Sequence, residues 1–310
     1  MEPVTFRPVA DGEQAQALSL WQAVFGAPPG YFERYYQADA DPSYREGDTF
    51  GAWQGDQLVS AVHLCRRPVV WDGDELLCGG IANVATLPEF RRRGLSRRLL
   101  EMAIAKMERE GFHYSLLGTG VPGHYAALGW ELTHAPRAKV NLKADFPTAE
   151  ADWQRLGTTD ALPPLYAARP RPLQFVRAPS YFDGWVGWNW RGYPTYLSTR
   201  PGLGYLVLVV PEAENEIIFA TEWRAIDAAT ERALLQAAAA EVLRRGRNQL
   251  GLEALPQHTG SDFLNSLGAV TTQQDKGSMA RNLSLPDDRY RQLMQSYRTG
   301  EAVWWMADGF

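Results

Sequence analysis

The order of apolar and polar positions over the first 145 residues follows two different periods. Short apolar runs and two-residue alternation, which are typical of strands, occupy residues 4–9, 49–53, 57–70, 75–86, 113–117 and 130–142. Apolar side chains at the 3.6-residue helical spacing occupy residues 11–25, 31–36, 95–107 and 124–128. Strands that alternate with helices in this way predict an α/β unit.

Residues 143–172 differ in character, because five prolines lie there among short helical stretches. Such a segment predicts a domain junction, so we expect one domain over residues 1–150 and a second over residues 151–310. Beyond the junction the predicted strands are residues 204–210, 216–220, 249–254 and 277–285, and the predicted helices are residues 227–245 and 262–267. The order of these elements along the chain is strand, long helix, strand, short helix, strand. The first unit ends with the same order. We therefore infer an internal repeat of one fold.

The composition excludes several classes of protein. The chain has 310 residues, 45% of them hydrophobic, and a formal net charge of −5. Disordered chains lack this apolar content, and nucleic-acid-binding proteins usually have a basic balance. The apolar runs are too short for a membrane-spanning helix, and the first residues lack the pattern of a secretory signal. We expect a cytoplasmic protein with no nucleic-acid or membrane partner, and assembly into homo-oligomers stays open.

The two cysteines, Cys65 and Cys78, are too few for a disulfide framework. His63 and Cys65 could place two metal ligands on one face of a strand. Zinc needs three or four ligands, however, and the sequence does not supply the others. Two buried thiols and no metal are therefore expected.

The strongest chemical signal is the turn between the strand that ends near Thr86 and the helix that begins near residue 95. It contains Arg91-x-x-Gly94-x-Ser96, and five arginines fall within residues 91–98. Backbone N–H groups at a helix start have no intrahelical partner and lie at the positive end of the helix dipole, so they bind phosphate groups. A solvated basic helix end is the alternative, and the position directly after a strand favours the phosphate site.

At these residues the chain resembles the GNAT superfamily of acyl-CoA-dependent N-acetyltransferases. Residues 84–100 are similar to the family's strand-turn-helix motif, Gln/Arg-x-x-Gly-x-Gly/Ala, from which Ser96 departs at the last position. Residues 124–130 are similar to its second motif, an aromatic-tyrosine pair followed by Leu-Gly-aromatic. The first 145 residues resemble the Eis-type branch more narrowly. This resemblance implies an α/β fold of tandem acyltransferase domains with mixed central sheets flanked by helices, without the branch's sterol-carrier-like third domain.

The resemblance also implies site residues and a reaction. Acetyl-CoA would be the co-substrate, a primary amine on a small molecule or peptide would be the acceptor, and transfer would be direct within a ternary complex. Tyr125 would be the general acid, and the second domain would lack the cofactor motif. The implied cofactor-binding residues are Val84, Ala85, Thr86, Arg91, Arg92, Arg93, Gly94, Leu95, Ser96, Arg97, Gly120 and Val121.

The acceptor amine requires a base, because an alkylammonium with a pKa of about 10 is mostly protonated at neutral pH. The residue types that could act are His63, His113, His134 and Glu131, and a chain of waters is a further alternative. In the Eis-type branch the terminal carboxylate is implicated, and this chain ends in Trp304-Trp305-Met306-Ala307-Asp308-Gly309-Phe310. We expect this apolar end to fold back and to bring the Phe310 carboxylate near Tyr125. A terminal strand that packs its tryptophans on the second domain is the alternative.

Three further patterns leave alternatives open. Gly118-x-Gly120-x-x-Gly123 matches the dinucleotide motif of dehydrogenases, but Pro122 interrupts it and no long helix follows. An aromatic cluster is predicted to be core packing or a wall that accepts a cation, and its members are Tyr181, Trp185, Trp188, Trp190 and Tyr193. The acids Glu33, Asp39 and Asp41 could attract a polyamine or aminoglycoside, or could lie in a solvated loop. A non-catalytic acyl-CoA sensor or interaction protein is the main alternative function.

Overall fold

Two mixed β-sheets with helices against them organise the chain, and the computed structural model describes residues 2–146 and 152–310 of it. The strands are β1 (Val4–Pro8), β2 (Thr49–Gln54), β3 (Gln57–Trp71), β4 (Asp74–Thr86), β5 (Tyr114–Gly118), β6 (Glu131–Leu132), β7 (Pro136–Leu142), β8 (Gln154–Arg155), β9 (Gln174–Phe175), β10 (Thr195–Arg200), β11 (Gly204–Val209), β12 (Ile218–Ala225), β13 (Gln249–Leu252), β14 (Gly268–Gln274) and β15 (Ser278–Asn282). The helices are α1 (Gln14–Phe25), α2 (Leu95–Arg109), α3 (Pro122–Ala126), α4 (Leu162–Ala167), α5 (Pro179–Tyr181), α6 (Trp188–Arg191), α7 (Ala228–Arg244), α8 (Ser261–Leu267) and α9 (Asp287–Thr299).

The strand order shows that both sheets follow one plan. The first sheet runs β1-β2-β3-β4-β5-β15-β6, with β9 beside β3, and the second runs β14-β7-β13-β12-β11-β10-β8. Each contains a parallel pair, β4 with β5 and β12 with β13, whose connection holds a long helix, α2 or α7. The predicted α/β fold class, with mixed sheets flanked by helices, is confirmed. In the described part of the chain, no helix combines the length and the apolar character needed to cross a membrane.

Each sheet takes one strand from the other half of the sequence. β7 pairs with β13 and β14 in the second sheet, and β15 pairs with β5 and β6 in the first. The prediction of one strand over residues 130–142 is therefore wrong, because His134 takes a φ of 54° and turns the chain from one sheet into the other. The strand predicted over residues 277–285 is β15, which lies inside the first sheet between β5 and β6, and the unpredicted β14 forms an edge of the second sheet. The predicted junction at residues 150 and 151 lies outside the described residues, so the division there stays a prediction.

A buried ion cluster connects the end of the chain to the second sheet. Arg177 Nη1 lies 2.8 Å from Glu222 Oε1 on β12, and Arg177 Nη2 lies 2.7 Å from Asp308 Oδ2. The side chains of Arg177, Glu222 and Asp308 are 0%, 0% and 3% exposed. Tyr205 donates a further hydrogen bond to Glu222. One guanidinium therefore joins Asp308 of the C-terminal segment to Glu222 of β12, and both carboxylates have little access to water.

Replacing Arg177 with alanine should lower the free energy of unfolding by about 3–5 kcal/mol, because two buried carboxylates would lose their common partner. Urea unfolding at neutral pH measures this loss. The matched control is Arg191→Ala, since Arg191 pairs with Asp183 at the surface, with exposed fractions of 40% and 65%. An exposed pair contributes at most about 1 kcal/mol. Equal losses in the two variants would contradict the assigned role of the cluster.

Candidate active site

The parallel pair β4 and β5 separates before β4 ends. The two strands are paired at Cys78 with Tyr114, at Gly79 with Ser115 and at Gly80 with Leu116, whereas β4 continues to Thr86. On its other edge, the register of β4 against β3 shifts, so that two residues of β4 face one residue of β3. Such a bulge bends a strand away from its neighbour. The backbone of β4 beyond Gly80 therefore borders a gap at the carboxyl ends of two parallel strands, where α/β sheets bind ligands.

The bulge is centred on Asn83 and Val84, which lie opposite Val62. Asn83 has a φ of 51°, a left-handed conformation that asparagine adopts more readily than most residues. Its side-chain Nδ2 is buried and has no hydrogen-bond partner among the described residues. Local backbone geometry therefore opens the gap beside Val84, the first of the cofactor-binding residues that the resemblance implies.

A cavity of about 430 Å³ fills the gap. Its walls come from β4, from the loop after β5, from α3, from the segment after α1 and from the end of the chain. The lining residues are Phe25, Ala27, Tyr31, Phe32, Ile81, Ala82, Asn83, Val84, Gly118, Thr119, Gly120, Val121, Tyr125 and Phe310. Five predicted site residues, Val84, Gly120, Val121, Tyr125 and Phe310, thus face one space, and the predicted Ala85 and Thr86 continue the same strand.

The turn after β4 leaves the start of α2 open. Arg92 and Gly94 take left-handed φ values of 61° and 76°, and the backbone N–H of Arg98 makes a hydrogen bond to the Gly94 carbonyl at 3.1 Å. No side chain of the described residues caps this helix start. Arg98 donates the first intrahelical hydrogen bond, so the backbone N–H groups of Leu95, Ser96 and Arg97 have no intrahelical acceptor. They lie at the positive end of the helix dipole.

The arginines around this turn are exposed, and the first three are not neutralised. In the described part of the chain no carboxylate lies within 4.0 Å of Arg91, Arg92 or Arg93, whereas Arg97 and Arg98 share Glu101 at 3.5 and 3.4 Å. Arg91 Nε also donates to the Thr86 carbonyl at 3.1 Å, which fixes the turn against the end of β4. The open helix start and the unpaired arginines together form a site suited to a phosphate or pyrophosphate.

The corresponding helix of the second unit begins differently. The Asp227 side chain accepts a hydrogen bond from the backbone N–H of Thr230 at 2.7 Å and so caps α7. A carboxylate at this position occupies the donors and repels an anion. The start of α7 is therefore unsuited to a phosphate group.

Tyr125 lies on the wall of the cavity that faces β4. The residue is 8% exposed, and its ring meets Trp130 edge to face at a centroid distance of 6.2 Å. Burial raises the pKa of the Tyr125 phenol above its usual value, while a hydrogen bond with Thr119 acts in the opposite direction. The hydroxyl therefore keeps its proton at neutral pH and can donate it.

The end of the chain folds back into the same cavity. Trp185 Nε1 donates to the Gly309 carbonyl at 3.1 Å, and Asn189 Nδ2 donates to the Ala307 carbonyl at 2.9 Å. The Phe310 ring packs on β4 at Gly80, where a Cβ atom would lie 2.6 Å from the ring. Glycine is therefore required at position 80 for Phe310 to reach the gap.

The other predicted bases lie elsewhere. His63, His113, Glu131 and His134 are absent from the cavity wall as the described residues define it. His63 is fully buried, with Nδ1 2.9 Å from Thr49 Oγ1, and burial together with Arg67 lowers the pKa of its imidazole to about 3. His113 Nδ1 accepts a hydrogen bond from the Leu77 backbone at 2.9 Å. These two rings therefore have structural partners.

The remaining candidates from the sequence are the aromatic cluster, the two cysteines and the glycine loop at residues 118–123. Trp185 and Trp190 are fully buried, which agrees with core packing. Cys65 and Cys78 are buried free thiols whose pKa is raised by burial, and no metal-binding group of three or more His, Cys, Asp or Glu side chains occurs among the described residues. The glycine loop at residues 118–123 opens α3, a helix of 5 residues, which is too short for a dinucleotide-binding unit.

Comparison with known proteins agrees with this architecture. A solved structure from Enterococcus faecalis V583, described as a probable N-acyltransferase, superposes with a TM-score of 0.71 at 18% identity, covering 91% of this chain and 73% of that one. Eis1 from Mycobacterium abscessus superposes with a TM-score of 0.67 at 15% identity, over 91% and 74%. A GCN5-related N-acetyltransferase from Kribbella flavida gives 0.64 at 21% identity, over 91% and 71%. At these identities the likeness shows the fold alone. No curated protein matches the sequence.

The model of the acetyltransferase (GNAT) domain family matches residues 5–133. This match covers less than half of the chain, and with the shared fold it confirms the predicted enzyme class, an N-acetyltransferase. The tandem arrangement shared with Eis1 confirms the predicted resemblance to that branch at the level of the fold.

The burial of His63 predicts a pH-dependent stability. The folded pKa is about 3 against 6.5 for the free side chain, so the unfolded chain binds an extra proton below pH 6.5 and stability falls as the pH falls. Between pH 7 and pH 5 this group should cost about 2 kcal/mol. Urea unfolding of the wild type and of His63→Gln at both pH values measures the difference. An equal pH dependence in the two proteins would show that His63 does not cause it.

Proposed function

We propose that this protein transfers the acetyl group of acetyl-CoA to a primary amine of a small molecule or peptide, by direct attack within a ternary complex. The observation that carries the proposal is the gap between β4 and β5, which joins the uncapped start of α2 to the cavity that contains Tyr125. GNAT acetyltransferases act on amines, and the family match supports this reaction class. We place the enzyme in the cytoplasm, as its sequence predicts.

The two ends of the cofactor match two parts of the site. The N–H groups of Leu95, Ser96 and Arg97, together with the side chains of Arg91, Arg92 and Arg93, would hold the pyrophosphate. The amides of pantetheine would pair with the free backbone edge of Val84, Ala85 and Thr86, as an added strand pairs with a sheet edge. Gly120 and Val121 would cover the opposite side.

The reaction then needs one proton donor and one oxyanion site. The amine nitrogen bonds to the thioester carbonyl carbon, the C–S bond breaks, and the thiolate leaves with the electron pair. Tyr125 would give its proton to this sulfur as the C–S bond breaks, and the resulting tyrosinate would take a proton from solvent before the next turnover. A backbone N–H at the end of β4 would stabilise the tetrahedral oxyanion. No metal takes part in this scheme.

The proton of the amine would go to the carboxylate of Phe310. Phe310 and Tyr125 line one cavity. Trp185 and Asn189 donate hydrogen bonds to the carbonyls of Gly309 and Ala307, and these bonds fix the position of the C-terminal segment. The buried contact between Arg177 and Asp308 holds it from the other side. Among the described residues that line this cavity, Phe310 is the only one that carries a carboxylate, which it has as the C-terminal residue.

Replacing Tyr125 with phenylalanine should lower kcat by about 10²–10⁴-fold, because a positioned general acid contributes that much, and should leave the Kd for coenzyme A unchanged. Thiol release measures the rate, and calorimetry measures binding. The contrasting variant, Arg92→Ala with Arg93→Ala, should raise the Kd instead. A full rate in Tyr125→Phe would remove the assigned acid. Binding of acetyl-CoA without thiol release from any amine would favour the acyl-CoA sensor.

Adding three residues, Gly-Gly-Ser, after Phe310 should lower kcat about tenfold or more, because it retains the ring but moves the carboxylate away from the cavity. Deletion of Gly309 and Phe310 should have the same effect on kcat. The same three residues added before Met1 are the matched control and should change nothing. Coenzyme A binding, measured by calorimetry, should be the same in all of these proteins. An unchanged kcat in the C-terminal extension would exclude the carboxylate as the base.

A further inference from the structure

We infer that the acceptor is a primary amine with a single positive charge on an aromatic or apolar body, of the arylalkylamine type, and that polyamines and aminoglycosides are poor acceptors. This inference rests on the proposed acetyl transfer and names the class of acceptor. It follows from a second cavity, from the charges around it and from the position of one buried arginine.

The second cavity adjoins the first at the end of the chain. It has a volume of about 340 Å³, and Tyr31 and Phe310 line both spaces. Its remaining wall includes Pro28, Trp188, Asn189 and Tyr193. The two cavities therefore meet at Tyr31 and Phe310, and a molecule in the second cavity would lie next to the space that Tyr125 lines.

Aromatic rings form the main surface of this second cavity. Tyr31 and Trp188 meet edge to face at a centroid distance of 5.3 Å, and Tyr193 is 56% exposed although it is a large aromatic residue. Aromatic faces bind flat apolar groups well, and exposed aromatic residues beside a cavity are typical of ligand sites. The shape and chemistry of the wall favour a ring or an alkyl chain on the acceptor.

Among the described residues, the walls of both cavities lack the acidic side chains that would bind a polycation, and the one carboxylate they have is the terminal group of Phe310. Asp41 is buried in an ion pair with Arg67 at 2.9 Å, and Glu33 lines a different groove, against α1. Asp41 and Glu33 therefore face neither of the two cavities.

A buried positive charge lies directly behind the aromatic wall. Arg34 is 1% exposed, and its guanidinium carbon lies 4.5 Å from the Tyr31 ring and 4.7 Å from the Trp188 ring. Its Nη1 donates to Asn189 Oδ1 at 2.5 Å, and no carboxylate of the described residues lies within 4.0 Å of it. The guanidinium of Arg34 thus already makes cation–π contacts with the rings of Tyr31 and Trp188.

Arg34 disfavours additional positive charge on the acceptor. In a partly dry site, like charges repel more strongly than in water, and each further ammonium group of a polyamine adds to that repulsion. A monoamine can enter with its nitrogen toward the first cavity and its apolar part against the wall. A diamine of equal length must place its second ammonium group near Arg34, where the described residues offer no acidic side chain to compensate for it.

Thiol release with paired acceptors tests the inference directly. Pentylamine and cadaverine have the same five-carbon chain and differ by one ammonium group, and phenethylamine, spermidine and kanamycin extend the comparison. We expect kcat/KM to be about tenfold or more higher for pentylamine than for cadaverine, and highest for phenethylamine. Faster turnover of cadaverine, spermidine or kanamycin would overturn the inference and leave the proposed acetyl transfer intact. Thiol release from none of the amines would instead contradict the proposed function.

Two substitutions locate the acceptor. Tyr193→Ala should raise KM for phenethylamine about fivefold or more without changing the Kd for coenzyme A, since it removes ring contact in the second cavity alone. The matched control is Tyr196→Ala on β10, a half-buried tyrosine that lines neither cavity. Asn189→Asp places a carboxylate beside Arg34 and should reduce the preference for pentylamine over cadaverine. An unchanged preference in Asn189→Asp, or equal KM effects of the two tyrosine variants, would contradict this assignment.

Discussion

The early separation of β4 from β5 is the constraint on which the rest of the site depends. Two parallel strands that stay paired satisfy each other's backbone groups and leave no room between them. Here the pairing ends at Gly80 with Leu116, and the left-handed Asn83 in the bulge turns β4 away. The separation creates the cavity and a free backbone edge, and it leads directly into the open start of α2. The single bulge in β4 thus leaves a backbone edge of this strand uncovered, and that edge leads to the uncapped start of α2, which is suited to an anion.

The second half of the chain completes the first half. It contributes β15 to the first sheet, and its C-terminal segment forms one wall of the cavity between β4 and Tyr125. Arg177 holds that segment through Asp308, and Trp185 and Asn189 hold it through backbone carbonyls. In turn, the first half gives β7 to the second sheet. The second unit therefore supports the C-terminal wall of the cavity, and its own long helix, capped by Asp227, has a start that is unsuited to a phosphate group.

The local parts of this architecture could be predicted from the sequence, and the long-range parts could not. The strand, turn and helix over residues 84–100 follow from neighbouring residues, and the structure forms them within a few residues of the predicted bounds. The exchange of β7 and β15 depends on partners more than a hundred residues away, and the apolar pattern of a strand does not say which sheet it joins. β10, β14 and α9 were not predicted at all. Arg34 shows the same limit, because its sequence neighbours do not reveal that tryptophans from α6 and the preceding turn enclose it.

The central claim is that coenzyme A binds along β4 and at the start of α2. Amide hydrogen exchange with and without coenzyme A, read peptide by peptide, tests it most directly. The account predicts slower exchange, by roughly tenfold or more, at the amides of residues 83–86 and 95–97, and no change at the start of α7. Unchanged exchange at residues 83–86 and 95–97 with saturating coenzyme A, or protection at residues 228–230 in their place, would contradict it.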